Sequence, residues 1–205
     1  MKNNIVIIDY EVGNVLSVQR ALKSFGYESI ISRDVKVIET AEILILPGVG
    51  AFEKAMKKLD EFCLVSLIRN HVNENKLLVG ICLGMQLLFE SSSEFGQHRG
   101  LGFVKGNVER IPESEDYKVP HIGWNKLKWK HDIESADQRN ENEWFYFVHS
   151  YGVSANLDCI IATTTYGDNE IGAIVKSKNV IGFQFHPEKS GEAGIGLLAY
   201  YLQNR

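Results

Sequence analysis

Short apolar runs alternate with helix-like segments through the first half of the chain. The apolar runs are continuous, which is typical of strands buried on both faces, and they cover residues 5–8, 27–31, 43–46 and 77–81. Between them, apolar residues recur at helical spacing after Asn14, over 52–59 and 62–72, and in a segment that begins at 85–89. Asn14 is a good N-cap residue, and Gly26 stands where a C-cap glycine belongs. This alternation predicts a parallel sheet with helices on both faces.

The second half of the chain has a different pattern. Strand-like runs follow one another across glycine-rich or polar turns, at residues 102–110, 125–129, 144–148, 159–165, 172–176 and 180–185. A last helix is predicted over about 192–202, and the polar stretch 130–143 is predicted to be a surface loop. We therefore expect an α/β fold of the flavodoxin-like kind: an open, mostly parallel sheet with antiparallel edge strands. No repeat or linker divides the chain, so residues 1–205 are expected to form one domain.

Composition and charge narrow the possible functions. A net charge of −4 and a pI near 5.9 do not favour a nucleic-acid-binding protein, which usually has a basic patch. The three cysteines, Cys63, Cys82 and Cys159, are odd in number and widely spaced, which is typical neither of a disulfide framework nor of a zinc motif. No apolar stretch approaches the ~20 residues of a membrane helix. We expect a soluble cytoplasmic protein without metal or cofactor.

The segment Gly80-Ile81-Cys82-Leu83-Gly84 has the pattern of a nucleophile elbow with cysteine as the nucleophile. It follows a predicted strand and precedes a predicted helix. Such a sharp turn crowds the backbone on either side of the nucleophile, which explains the glycines. The start of the helix would also present N–H groups to a developing oxyanion. The alternative is an inert buried cysteine in a glycine-rich turn. The two other cysteines lack such flanking residues, and we assign them to packing.

A base for this cysteine is expected at the end of the last strand. There, His186 and Glu188 flank Pro187. Proline biases the preceding residue toward extended backbone, and residues two apart in extended chain share a face. The carboxylate can then orient the imidazole, as a cysteine nucleophile requires. Each residue alone has a simpler interpretation, as a polar strand end or a helix-start charge. Together with the elbow they predict a Cys82–His186–Glu188 triad at the carboxyl edge of the sheet.

With these motifs, the chain resembles the class I glutamine amidotransferases over nearly its whole length. Within that family it is most similar to the glutaminase subunits of imidazole glycerol phosphate synthase. Besides the elbow, with Gln86 one turn later, the segments that carry the resemblance are 9–14, 46–50, 121–125, 147–151 and 186–189. The chain departs from the family's usual residues at Glu11, Val12 and Gly152, which are expected to lie near the docking and substrate surfaces.

The resemblance implies a role for each matching residue. Cys82 would attack the glutamine amide, with His186 as base and then acid, and Glu188 would orient the ring. The Leu83 N–H and a backbone N–H within Gly48-Val49-Gly50 would stabilise the oxyanion. The expected substrate-binding residues are Gln86, Ser150 and Tyr151.

The resemblance also implies a partner, a (β/α)₈-barrel cyclase subunit that forms a heterodimer with this chain and uses the ammonia in histidine biosynthesis. The expected partner-interface residues are Asn14, His121, Trp124, Asn125 and Lys189.

Three other functions remain open on the sequence. One is a similar amidotransferase subunit that supplies ammonia for amidating a surface-polysaccharide sugar. Another is a cysteine hydrolase of a protease-like or chaperone-like α/β family, against which the late His-Pro-Glu segment argues. The third is a regulatory binding module with an inactive site, which the complete triad disfavours.

Overall fold

The structure is a computed structural model that describes residues 4–113, 115, 117–130 and 142–204. In chain order, the strands are β1 (Ile5–Ile8), β2 (Ser29–Ser32), β3 (Ile43–Gly48), β4 (Leu77–Cys82), β5 (Phe89–Ser92), β6 (His98–Arg99), β7 (Val104–Arg110), β8 (His121–Asn125), β9 (Lys128–Trp129), β10 (Phe145–His149), β11 (Tyr151–Gly152), β12 (Ile160–Tyr166), β13 (Asn169–Ser177) and β14 (Val180–Phe183). The helices are α1 (Val15–Ser24), α2 (Val35–Glu39), α3 (Phe52–Glu61), α4 (Leu64–Asn73), α5 (Leu83–Gln86) and α6 (Gly191–Gln203).

The main sheet of the described residues has the strand order β2-β1-β3-β4-β14-β13-β12-β9. The first five strands in this order are parallel to one another, and the last three are antiparallel to their neighbours. Strands β1, β3 and β4 are buried along their whole length, which explains their continuous apolar sequences. The predicted fold class, a mostly parallel sheet with antiparallel edge strands, is confirmed.

Helices cover both faces of this sheet, because alternate residues of each strand point to opposite sides. On one face Val6 and Leu44 belong to a core formed with α2, α3 and α4. On the other face Ile5 and Ile43 pack with α1 and α6. Asn14 caps α1 by accepting a hydrogen bond from Ser17 N, as the sequence predicted.

Several elements differ from the sequence predictions. The helix after Cys82 is a single turn, α5, and Phe89 begins strand β5, since this segment pairs with β6 and β7 in a second sheet of order β11-β7-β5-β6. Helix α2, with Asp34 as its N-cap, was missed because it is only five residues long. The strand expected over 125–129 is reduced to β9. The predicted surface loop 130–143 falls mostly outside the described residues.

The strand missed in this region is β8, which pairs antiparallel with β10 and forms a two-stranded sheet. We call β8 and β10 together the ribbon. A hydrogen bond of 2.9 Å from His186 N to Tyr146 O in β10 holds the ribbon beside the chain that follows β14. No helix among the described residues is long and apolar enough to cross a membrane.

Candidate active site

Cys82 lies at the sharp turn from β4 into α5, with φ 55° and ψ −112°. Few non-glycine residues adopt a positive φ, and such strain persists only where the surrounding structure enforces it. The neighbouring glycines are required by close packing. A Cβ on Gly80 would lie 2.6 Å from Gly84 O, and a Cβ on Gly84 would lie 1.8 Å from Leu46 O. The structure thus builds the elbow that the glycine spacing predicted.

The packing at Gly84 leads to a stability prediction. We expect Gly84→Ala to destabilise the fold strongly, by more than about 3 kcal/mol, because the new methyl group would overlap a backbone atom rather than a flexible side chain. The matched control is Gly196→Ala in α6, where a Cβ meets nothing within 4 Å. This control should be neutral or stabilising by up to about 1 kcal/mol, since alanine favours a helix. Urea denaturation of both variants measures the difference, and equal midpoints would contradict this account of the elbow.

His186 and Glu188 lie next to this elbow because β14 is the parallel neighbour of β4. His186 has extended backbone angles, φ −98° and ψ 98°, and Pro187 begins a short 3₁₀ turn after it. The ring Nδ1 and Glu188 Oε1 are 2.8 Å apart, and both side chains are almost fully buried. The structure therefore brings the three residues of the predicted triad to one edge of the sheet.

Burial and charge act in opposite directions on His186. Burial lowers the pKa of the imidazole, but the neighbouring Cys82 and the hydrogen bond and charge of Glu188 outweigh it and raise the pKa to about 10. No hydrogen bond of normal geometry joins His186 Nε2 to Sγ or to any other described atom, so we attribute the effect of Cys82 to charge attraction. A ring with this pKa carries the proton at neutral pH. The site thus favours the protonated form of His186, next to the sulfur of Cys82.

The predicted oxyanion segment runs directly alongside the nucleophile. In the register of β3 and β4, Gly48 lies opposite Cys82. A Cβ on Gly48 would lie 2.6 Å from the hydroxyl of the buried Tyr10, which in turn donates to Pro47 O at 2.8 Å. Gly50 has φ +91° and open space around it. The segment is therefore anchored at Gly48 and unconfined at Gly50.

A cavity of about 370 Å³ opens at this edge, within the size range of small-molecule sites. Its lining residues are Val49, Gly50, Cys82, Leu83, Gln86, Glu94, Pro120, Val148, His149, Ser150, Tyr151 and His186. They include the expected substrate-binding residues. No local sequence pattern singles out Glu94, which enters the cavity from the chain after β5. Its Oε2 accepts a hydrogen bond from Phe52 N at the start of α3, so the cavity is lined by a carboxylate as well.

The expected interface residues occupy different environments. Trp124 is 50% exposed on the outer face of the ribbon, next to Ile122 at 58%. Lys189 is exposed, with its ammonium 5.4 Å from the centre of the Tyr146 ring. Asn14 is exposed and Asn125 half-buried. His121 is fully buried, so it offers no surface to a partner, and any influence on docking must be indirect.

The remaining cysteines lie away from this cavity. Cys63 is exposed at the start of α4, so it does not have the packing role expected from the sequence, whereas Cys159 is half-buried just before β12. Within the described ranges, no group of three or more histidine, cysteine, aspartate or glutamate side chains is arranged to hold a metal ion.

The fold and the site together define a class of protein. The family model described as "Glutamine amidotransferase class-I" matches residues 6–199. A solved structure titled "Crystal structure of glutamine amidotransferase" superposes with a TM-score of 0.75 at 21% identity, covering 97% of each chain. The "Structure of PurLQS from Thermotoga maritima" gives 0.72 at 21% identity, covering 100% of this chain and 99% of the other. At these identities the superpositions show the fold alone.

Curated relatives specify the family more narrowly. The chain is 48% identical over 195 residues to "Imidazole glycerol phosphate synthase subunit HisH" of Aquifex aeolicus, covering 94% of this chain and 93% of the relative. It is 48% identical over 199 residues to the subunit of the same name from Lactococcus lactis, covering 97% and 98%. The chain belongs to the class I glutamine amidotransferases and, within them, to the HisH subunits of imidazole glycerol phosphate synthase.

Proposed function

We propose that this chain hydrolyses L-glutamine to glutamate and ammonia and passes the ammonia to a (β/α)₈-barrel cyclase with which it forms a heterodimer in histidine biosynthesis. The observation that carries the proposal is the strained Cys82 elbow beside the buried His186–Glu188 pair, at the edge of a cavity that also contains Gln86 and Glu94. We propose further that residues 1–205 form one glutaminase domain and that it acts in the cytoplasm.

The chemistry follows from the state of the triad. Because the pKa of His186 is raised to about 10, the ring already carries a proton when Cys82 attacks the amide carbon as thiolate. Attack forms a carbon–sulfur bond and moves an electron pair onto the amide oxygen. His186 then protonates the amide nitrogen, the carbon–nitrogen bond breaks, and ammonia leaves. The neutral ring next takes a proton from water, which attacks the thioester and releases glutamate and the thiolate.

The negative oxygen formed during attack needs hydrogen-bond donors. The Leu83 N–H at the start of α5 and a backbone N–H of residues 48–50 are proposed to supply them. Glycine at position 50, with its positive φ and open surroundings, allows the peptide unit there to rotate at low cost. We propose that the isolated chain points a carbonyl at the oxyanion position and that partner docking turns an N–H into its place.

Docking is proposed to occur on the outer face of the ribbon, where Ile122 and Trp124 are exposed and where Trp144 is 53% exposed close by. Lys189 directly follows the triad glutamate and is exposed, so it could pair with an acidic residue of the partner and report docking to the site. Asn14 and Asn125 complete the proposed contact region.

The test is steady-state glutaminase activity with and without the cyclase and its bound ligand. We expect stimulation by about 10²–10³-fold in the wild type, the effect of gaining one oxyanion donor. Trp124→Ala, Lys189→Ala and Gly50→Pro should each be stimulated less. Gly50→Ala is the comparison for Gly50→Pro, because alanine restricts backbone rotation without fixing φ as proline does. High activity of the isolated chain that the partner leaves unchanged would refute the switch, and absence of glutamine hydrolysis with the partner present would refute the function itself.

A further inference from the structure

A fully buried glutamine outside the triad contacts the nucleophile. Gln184 Nε2 points at Cys82 Sγ from 3.9 Å, and Gln184 Oε1 accepts a hydrogen bond from Gln86 Nε2 at 3.0 Å. Gln86 Nε2 also donates to Tyr151 O at 2.8 Å. Both N–H groups of Gln86 are therefore used inside the protein, and only its Oε1 is left for a substrate. Neither the triad nor the substrate-binding set explains Gln184.

The same carbonyl of Tyr151 continues the chain of contacts into the ribbon. His149 Nδ1 lies 2.8 Å from it, and His149 Nε2 lies 3.0 Å from His121 Nδ1. The far side of His121, Nε2, lies 3.1 Å from Asn125 Oδ1, and Asn125 Nδ2 donates to Thr165 O at 2.7 Å. One unbroken series of polar contacts thus connects the ribbon with Cys82.

We propose that Gln184, His149 and His121 are positioning residues of the glutaminase site, which hold Cys82 and the Tyr151 carbonyl through this series, and that the series is complete only when the two imidazoles share a third proton. The inference deepens the proposed function, and it rests on that function only for its effect on catalysis.

The third proton follows from counting donors and acceptors. The series from Tyr151 O to Thr165 O has a carbonyl acceptor at each end. A neutral imidazole donates on one side and accepts on the other, and so does the Asn125 amide. Three groups that each donate in only one direction along the series cannot supply hydrogen bonds to the acceptors at both ends, whichever way the Asn125 amide is turned. One unit must donate on both sides, and only an imidazolium can do so.

The surroundings oppose that third proton. Burial lowers the pKa of His121, and burial lowers the pKa of His149 to about 3 despite its contact with Tyr151 O. The titratable groups that face the pair are Tyr166, stacked on His121 with ring centres 4.1 Å apart, and His186 on the side of His149. Of the described groups that shift these pKa values, none is a carboxylate.

When both imidazoles are neutral, one contact of this series therefore cannot be a hydrogen bond. The contact of Asn125 with Thr165 O is the most exposed of the series, so the break falls there at the lowest cost. Docking of a partner that places a carboxylate near Asn125 would favour the third proton and complete the series. Docking on the ribbon would then change the position of the Tyr151 carbonyl. Through Gln86 and Gln184 it would also change the position of Cys82.

The first experiment tests the contact between Gln184 and the nucleophile. Gln184→Met keeps the length of the side chain and removes the donor. Alkylation of Cys82 by iodoacetamide, measured against pH on the full chain, should show its midpoint shifted up by about one pH unit, since the thiolate loses a hydrogen bond. The matched control is His71→Gln, which alters another buried polar residue at a distance from the cavity and should leave the midpoint unchanged. An unshifted midpoint in Gln184→Met would overturn the role of Gln184.

The second experiment tests the shared proton and needs no variant at position 184. Side-chain NMR of the ¹⁵N-labelled full chain follows the imidazoles and the amides of Gln86 and Gln184 as the pH is lowered. When the pair takes up its third proton, both amides should shift with the same midpoint. That midpoint should vanish in His121→Gln and persist in His71→Gln. Imidazole protonation that leaves both amides unmoved would overturn the proposal. Neither readout requires glutamine hydrolysis, so failure of the glutaminase function would be recognised separately.

Discussion

Cys82→Ser should lower glutamine hydrolysis by about 10⁴-fold or more while the chain stays folded. Serine fits the space of the thiol, so the strained turn and its glycines are undisturbed. The hydroxyl, however, is far harder to ionise than the thiol. The nucleophile therefore cannot readily transfer its proton to His186 before it attacks the amide. Glutamate formation in the presence of the cyclase measures the rate, and circular dichroism confirms that the fold is retained.

A glutamine-analogue electrophile provides the control for this assignment. It should modify Cys82 and leave Cys63 and Cys159 unmodified, as mapped by peptide mass spectrometry. Cys63 makes the comparison stringent because it is exposed, whereas Cys82 is buried in the lining of the cavity. Labelling at Cys63 in place of Cys82 would show that the nucleophile has been assigned wrongly.

His186→Ala should be as damaging as loss of the nucleophile, about 10⁴-fold or more, because ammonia then leaves without a proton donor. Glu188→Gln should cost less, roughly 10²–10⁴-fold. Its side-chain oxygen can still accept from His186 Nδ1 across the 2.8 Å contact, but the negative charge that favours the imidazolium is lost. Rates for both variants with the cyclase present decide the matter, and near-wild-type rates in both would show that the triad is misassigned.

The raised pKa of His186 adds a pH dependence to this prediction. Its pKa in the folded chain is about 10, above the value of about 6.5 in the unfolded chain. The folded state therefore binds the proton more tightly, and the stabilisation is complete below about pH 6.5 and is lost as the pH rises through 10. In Glu188→Gln the folded pKa should fall, so stability should decline less between these pH values. NMR titration of the ring and urea denaturation against pH measure the two quantities, and an unchanged titration would contradict the charge argument.

Local patterns were sufficient to predict the central part of the fold. Strands β1, β3 and β4 are buried on both faces, so their sequences are continuous apolar runs that can be read without tertiary information. Weak local signals led to the errors. Helix α2 has five residues, and α5 ends after one turn because the following segment gains more by pairing in a second sheet than by extending a helix.

The same division applies to the site. The sequence by itself predicted the elbow and the His-Pro-Glu segment, because the glycine spacing and the proline express constraints between near neighbours. Only the tertiary structure decided what meets the triad from distant parts of the chain. Glu94 reaches the cavity by capping α3, and Gln184 and the pair His121–His149 are joined through contacts between residues far apart in sequence. Such contacts depend on strand order and on the burial of polar groups, which no local pattern of apolar and polar residues determines.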